Sequence, residues 1–349
     1  GAAGRYGFYE ALDFTRDLLT FFGGLLIATL VVTLMYYGLC FCIAEMSPAL
    51  PHTGGAYSFS RSAMGPWGGF ITGLAENMEY VITPAVVVGA MGFLMHDLTT
   101  GLFDLTGQPW WNSPVTWWAV FYVIFVAINI IGIEATMRFT VAITILALGI
   151  LGFFFISVIV SGSFDASLLT NIPPDEGDSS FLPHGIAGIF PAIPFAIWFY
   201  LAIEELPLAA EESHEPKRDV PRATLWGLTT LVVTAGLTLV LNTGVGGGAQ
   251  EIGVSATPLF DGFKGVFGDG TAAELLALIG LVGLIASFFT IIYAYGRNTY
   301  SLSRAGYFPK WLSITHGTRQ TPHVALIAGA VVGYALAVLI YQLGKSEGA

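Results

Sequence analysis

Seven stretches of this chain run long enough to cross a bilayer without a single charged residue: Phe21–Ala44, Pro114–Ile133, Phe139–Phe164, Gly185–Ile203, Ala223–Gln250, Leu275–Gly296 and Val324–Gly344. A spanning helix needs about 20 predominantly apolar residues. An eighth stretch, Gly65–Leu94, is interrupted only by Glu76 and Glu79. Uncharged runs of this length leave few options. In lipid every backbone N–H and C=O must be satisfied within the segment, which leaves helices or closed barrels. Barrel strands alternate apolar and polar residues over about 10 positions, whereas these runs are continuous. The expected fold is therefore an all-α integral membrane protein of about eight transmembrane helices. Composition agrees: charged residues make up 11% of the chain, against about 25% in soluble domains.

The loops give an orientation. Nine of the 13 basic residues (Arg61, Arg138, Lys217, Arg218, Arg222, Arg297, Arg304, Lys310 and Arg319) fall at the ends reached after the first, third, fifth and seventh helices. The opposite ends carry the acidic loops "FDASLLTNIPPDEGDSS" and "EIGVSATPLFDGFKGVFGDG". The positive-inside rule makes the basic face cytoplasmic and puts both termini outside. Residues 1–20 contain Glu10, Asp13, Arg16 and Asp17 and no apolar core of a secretory signal. They read as a polar lead-in or an amphipathic surface helix. Placing such a segment outside without a signal suggests one more helix in front.

Several functions are disfavoured. No basic stripe suits nucleic acid. Cys40 and Cys42 point about 200° apart on a helix and cannot bridge each other, so they read as small buried hydrophobes. The six histidines are scattered, no metal spacing or nucleophile–base set appears, and the chain reads as a non-enzyme without a cofactor.

The acids in the membrane are the first functional signal. A carboxylate at mid-bilayer costs about 2.5–3.5 kcal/mol on insertion scales, so it normally faces a cavity or a partner. Glu76 and Glu79 are three residues apart and share a helix face. Tyr80 and Thr83 extend that face, and Thr72 continues it the other way. Three readings stand side by side: a fixed ion pair, with no basic residue inside an apolar run to supply it; protonated acids hydrogen-bonded to other helices; or acids that meet a mobile cation, either a proton or a cationic substrate.

The second signal is "GIFPAIPFAIWFYLAIEELPLAAEE" (residues 188–212). Pro191, Pro194 and Pro207 remove backbone donors, and an interrupted span is the best sequence pointer to a transporter's binding site. A simple kink is the alternative. The loop "SPALPHTGGAYSFSRSAMGPWGG" is too polar to span and too apolar for a solvated linker. It reads as an interfacial or partly re-entrant segment.

Three blocks carry a family resemblance. "AEMSPALPHTGGAYSFSRSAMGPWGGFITGLAENMEY" resembles the second-helix end, first cytoplasmic loop and third helix of the amino acid–polyamine–organocation superfamily. "WFYLAIEELPLAAEESHEPKRDVPRA" is similar to its sixth helix and following loop, and "YAYGRNTYSLSRAGYFPKWL" to the end of its eighth. The first block looks most like the bacterial ethanolamine permeases. The resemblance implies an inverted-repeat fold of two five-helix units, with substrate between broken first and sixth helices. The present spans match family helices two to nine, in a single permease domain over residues 21–349. The first helix and those after the ninth are not recognised, so an incomplete chain is expected.

Residue by residue, Trp198 matches the family's substrate-packing aromatic. Phe199 to Ala202 match the unwound stretch, with Ala202 where many relatives have Gly, and Glu204 matches the family acid. The family's coupling lysine has no counterpart in "MRFTVAITILALGILGFFF". The substrate site implied comprises Glu76, Tyr80, Trp198, Phe199, Tyr200, Ala202 and Glu204. Glu79, Thr83, Ser287 and Thr290 stand on an ion or substrate path; ordinary interhelical hydrogen bonding is the alternative for the last two. A small ammonium with a hydroxyl suits an acid, an aromatic wall and backbone groups freed by Pro191 and Pro194. The expected function is alternating-access transport of ethanolamine or a similar small amine across a bacterial inner membrane, with H+ or Na+ as the candidate coupling ion. The alternatives are an amino acid or polyamine permease of the same superfamily, and a truncated, non-transporting membrane fragment or sensor. The expected partners are the cationic amine and lipid.

Overall fold

A computed structural model describes residues 22–50, 54–103, 109–255, 257–268, 271–319 and 321–347; the lead-in at residues 1–20 lies outside them. The helices are α1 (Phe22–Met46), α2 (Gly55–Leu102), α3 (Pro114–Ile131), α4 (Ile133–Ser161), α5 (Ile189–Trp198), α6 (Pro216–Thr243), α7 (Ala249–Ile252), α8 (Pro258–Phe267), α9 (Thr271–Arg304) and α10 (His323–Glu347). A 3-10 segment, Ile203–Glu212, continues the path of α5. Among the described residues there is no strand beyond one isolated bridge, Ser179–Leu182.

Among the described residues, eight helical stretches are long and apolar enough to cross a membrane, and each overlaps one of the eight runs read from the sequence. Their burial differs. In the most apolar window of α2, 56% of residues are buried, against 17% in α4. An apolar helix with so little protein around it needs another apolar solvent, and lipid supplies one. The chemistry of the ends is local: Ser113 accepts the Thr116 N–H at 3.2 Å, and Pro114 opens α3 where no intrahelical donor is required. The helix α6 starts seven residues before the apolar run, inside the charged Pro216–Arg222 stretch.

The polar loop before α2 does fold back. Gly65 (φ 76°, ψ −171°) breaks α2 into two arms in a backbone region open to glycine alone. Residues 55–64 then run back along the following arm. The Thr72 hydroxyl donates to Ser60 Oγ at 2.9 Å, and a Cβ on Gly73 would lie 3.3 Å from the Tyr57 Cβ. The Tyr307 hydroxyl donates to the Pro66 carbonyl at 2.7 Å and holds the bend.

Two large apolar cores result. One joins α2, α3, α9 and α10 through Met91, Trp118, Tyr122, Phe288, Tyr295 and Leu326. The other joins α1, α5 and α6 through Ala28, Tyr36, Ala196 and Leu228. The broken span belongs to both: Tyr200 and Ile203 lie in the second core, Leu208 in the first. Small residues let the elements close. Gly73 brings Leu302 of α9 against α2, where Asn77 Nδ2 also donates to the Thr299 hydroxyl at 2.6 Å.

Candidate functional site

The helix period places Glu76, Glu79, Tyr80 and Thr83 on one face of α2, and the fold buries that face. Glu76 is 9% exposed, Tyr80 1% and Thr83 7%, with Glu79 half-buried. The fold-back at Gly65 matters here, because the Tyr57 backbone N–H donates to the Glu76 carboxyl. The other oxygen of Glu76, Oε2, is enclosed and accepts no hydrogen bond, and the Tyr80 hydroxyl is likewise enclosed without a partner.

Opposite this face lies the break in the span Ile186–Glu212. The helix α5 stops at Trp198, residues 199–202 form a turn, and the 3-10 segment begins at Ile203. Ala202 has φ 75° and ψ 1°, the one positive φ outside glycine among the described residues. The left-handed conformation costs an alanine roughly 1–2 kcal/mol, so something must hold it. Glu204 does: its Oε1 accepts the Ala202 N–H at 3.2 Å. The other oxygen of Glu204, Oε2, is enclosed and accepts no hydrogen bond. Glu205 Oε1 is enclosed without a donor. Four carboxyls, Glu76, Glu79, Glu204 and Glu205, thus act on one another around Tyr80, and no Lys or Arg acts on them among the described residues.

The turn presents carbonyls rather than donors. The N–H groups of Phe199, Tyr200, Leu201 and Ile203 go to the carbonyls of Ala196, Ile197, Ile197 and Tyr200, and that of Ala202 goes to Glu204. None of the turn bonds among the described residues ends on the carbonyls of Trp198, Phe199 or Leu201.

Of the residues expected from the sequence, Glu76, Glu79, Tyr80 and Glu204 come together, with Thr83 one turn along α2. Ala202 stands beside them through its bond to Glu204. Tyr200 does not join them: it is buried in the second core, its hydroxyl bonded to Thr33 Oγ1 at 2.7 Å and its ring 5.5 Å from Tyr36. Trp198 is 48% exposed. Phe199 lines an apolar cavity of about 430 Å3 together with Phe22, Leu25, Phe195 and Asn242, and none of the four acids lines it. The Thr290 hydroxyl donates to carbonyls of its own helix, Ala286 at 3.0 Å and Ser287 at 3.1 Å, and not to another helix.

Two expectations need correction. The unwinding falls at residues 199–202, not at the prolines, because Pro191 occupies the first turn of α5, where a donor has no intrahelical partner to lose. Only Pro194 lies deeper in that helix. Second, a basic residue does lie inside a candidate span: Arg297 of α9, ion-paired with Glu212, which also accepts the Tyr293 hydroxyl. The sequence reading missed this trio and Glu205. The Glu204-Glu205 doublet was a visible signal for Glu205; nothing local connects Glu212 to a helix 81 residues on.

Comparison with known proteins follows the same outline. A family model described as amino acid permease matches residues 13–346. An uncharacterized transporter of Rhizobium meliloti is 30% identical over 309 residues, covering 86% of this chain and 62% of that protein. The methylthioribose transporter of Bacillus subtilis is 25% identical over 84% of this chain and 64% of its own length. The branched-chain amino acid permease BcaP of the same organism is 25% identical over 86% of this chain and 64% of its own. The chain therefore spans a little under two thirds of these relatives. Among solved structures, Mhp1, a nucleobase-cation-symport-1 family transporter in a closed conformation with bromovinylhydantoin bound, superposes with a TM-score of 0.56 at 13% identity, covering 98% of this chain and 73% of Mhp1. That likeness establishes the fold, an inverted-repeat transporter architecture. Because the family model takes in nearly the whole chain and not one motif alone, the chain belongs to the amino acid permease family of multi-pass membrane transport proteins.

Proposed function

We propose that this chain forms the core of a secondary transporter that moves ethanolamine or a similar small amine across a bacterial cytoplasmic membrane by alternating access. The observation that carries the reading is the chemistry of the break. Its backbone N–H groups are all occupied, no turn bond among the described residues ends on the carbonyls of Trp198, Phe199 or Leu201, and among those residues no Lys or Arg acts on the acids beside it. Apart from the Tyr80 hydroxyl, such a site offers acceptors. An ammonium and a hydroxyl are both donors and match it; a substrate carboxylate needs donors and does not. The open Oε2 of Glu76 is the natural seat for the ammonium, since a hydrogen bond to a charged group contributes about 1.5–3 kcal/mol. Two apolar cores joined by a polar seam suit a mechanism in which one body rocks against the other around a central site.

The rival within transport is an amino acid permease, supported by the family description and by BcaP among the relatives. Uptake of radiolabelled ethanolamine into proteoliposomes containing the chain separates them. Competition by excess small primary amines and not by zwitterionic amino acids is the expected result. The reverse order of competition would give the site to amino acids, and no uptake of either would favour a non-transporting membrane protein.

A further inference from the structure

We propose that the bent tip of α2 binds an anionic phospholipid, with the headgroup phosphate on Arg61 and an acyl chain along the α2 face that starts at Trp67. Residues 61–64, 66 and 67, on both sides of the Gly65 bend, are exposed. Among them Met64 is 65% exposed and Trp67 76%. The bend is held from behind. The Tyr307 hydroxyl donates to the Pro66 carbonyl, and the Tyr307 ring lies 5.9 Å from Tyr57 and 5.4 Å from Phe70. The tip therefore has a fixed shape and shows its surroundings one cation among apolar side chains.

The cation is preset. Arg61 Nη1 donates to the hydroxyl of the buried Tyr57 at 2.6 Å, which fixes the direction of the guanidinium from one side. A guanidinium has five N–H donors, so the rest remain for a ligand, and its planar fork matches two phosphate oxygens at once. Among the described residues the ion pairs are those of Arg138, His184, Arg218 and Arg297, and no carboxylate takes Arg61. Arg304 and Lys310, three residues to either side of Tyr307, are exposed and likewise unpaired among those residues. The turn that supports the tip thus adds positive charge. All three cations belong to the basic loops read above as cytoplasmic, the face on which anionic headgroups gather.

A free phosphate needs only the cations. The apolar surface beside them points to a phosphate that carries a chain. Trp67, Ile71, Met78 and Ile82 are all exposed, and their spacings of four, seven and four residues align them on one helix face. That stripe starts at the tip and runs down α2 on the side away from Glu76, Tyr80 and Thr83, which are turned inward. A tryptophan beside a cation, with an aliphatic stripe leading from it, suits the boundary between headgroups and acyl chains. The site requires only that the chain sit in a bilayer; it does not rest on the amine reading.

Quenching of tryptophan emission by brominated lipids, with the chain in proteoliposomes, tests it. The share due to Trp67 is the difference between wild type and Trp67→Phe. In a phosphatidylcholine background, brominated phosphatidylglycerol should quench that share at about a tenfold lower mole fraction than brominated phosphatidylcholine does, the scale of a hydrogen bond to a charged group. Arg61→Gln should remove the preference, and Arg138→Gln, on α4, should leave it intact. Equal quenching by the two lipids overturns the proposal. So does a preference that survives Arg61→Gln, or one that Arg138→Gln removes as well, since net charge alone would then explain it. Loss of the preference on adding excess inorganic phosphate at constant ionic strength would make this a free-anion site and also overturn it. All three substitutions fall on exposed side chains, where a change of residue leaves the packed core untouched. No substrate takes part, so failure of amine uptake with the lipid preference intact would sink only the transport reading.

Discussion

Glu212, at the end of the 3-10 segment, and Arg297, in α9, form an ion pair largely withdrawn from solvent, with side chains 17% and 13% exposed. The Tyr293 hydroxyl completes it, and the Arg297 guanidinium lies 5.0 Å from the centre of the Tyr293 ring. The pair fastens the far end of the broken span to the core built on α2 and α9.

Removing one partner leaves a charge with nothing to balance it. Breaking a buried pair in this way typically costs about 3–5 kcal/mol. Arg297→Ala should lower the thermal midpoint of the purified protein sharply, and pairing it with Glu212→Gln should recover part of the loss. Equal midpoints for wild type and Arg297→Ala would show that the pair carries no stability.

The bend within α2 depends on one residue. At Gly65 a Cβ would meet no atom within 4 Å, so the backbone conformation alone resists substitution. Gly65→Ala should cost about 1–3 kcal/mol, the range for a residue held in a region reserved for glycine. The measurement is again thermal unfolding. Gly101→Ala, also without a neighbour within 4 Å but with no positive φ, is the control expected to change little.

Ala202 offers the opposite sign. A glycine removes the left-handed penalty of about 1–2 kcal/mol and gives back part of it as chain entropy. Ala202→Gly should therefore hold or slightly raise the thermal midpoint, while Ala202→Val should lower it. A marked fall in Ala202→Gly would mean that the turn is held by packing of the methyl and not by the Glu204 cap.

Glu76 carries the prediction on cargo. Gln in its place keeps shape and the Tyr57 bond but loses the charge. Under the amine reading Glu76→Gln raises the half-saturation concentration for ethanolamine uptake by about tenfold or more, the worth of a hydrogen bond to a charged group. An unchanged concentration would move the ammonium to another acid of the cluster.

Much of this architecture was legible in the chain. The eight spans follow from uncharged runs because lipid offers the backbone no partner, so each helix must satisfy itself and leaves its length in the local sequence. The Glu76, Glu79, Tyr80 and Thr83 stripe follows from helix periodicity in the same way, and the unwound stretch at Phe199 to Ala202 was reached through family resemblance. What only the tertiary structure decided are relations between distant segments. The prolines pointed to the wrong turn of the broken span, since which bonds that span gives up depends on Glu204 folding back onto Ala202. Tyr200 looked like a cage wall until α1 supplied Thr33 for its hydroxyl. The meeting of Glu212 with Arg297 depends on how the broken span closes against α9. Burial of charge has no local signature: the same glutamate is a solvated side chain or half of an enclosed ion pair according to what a remote helix places beside it.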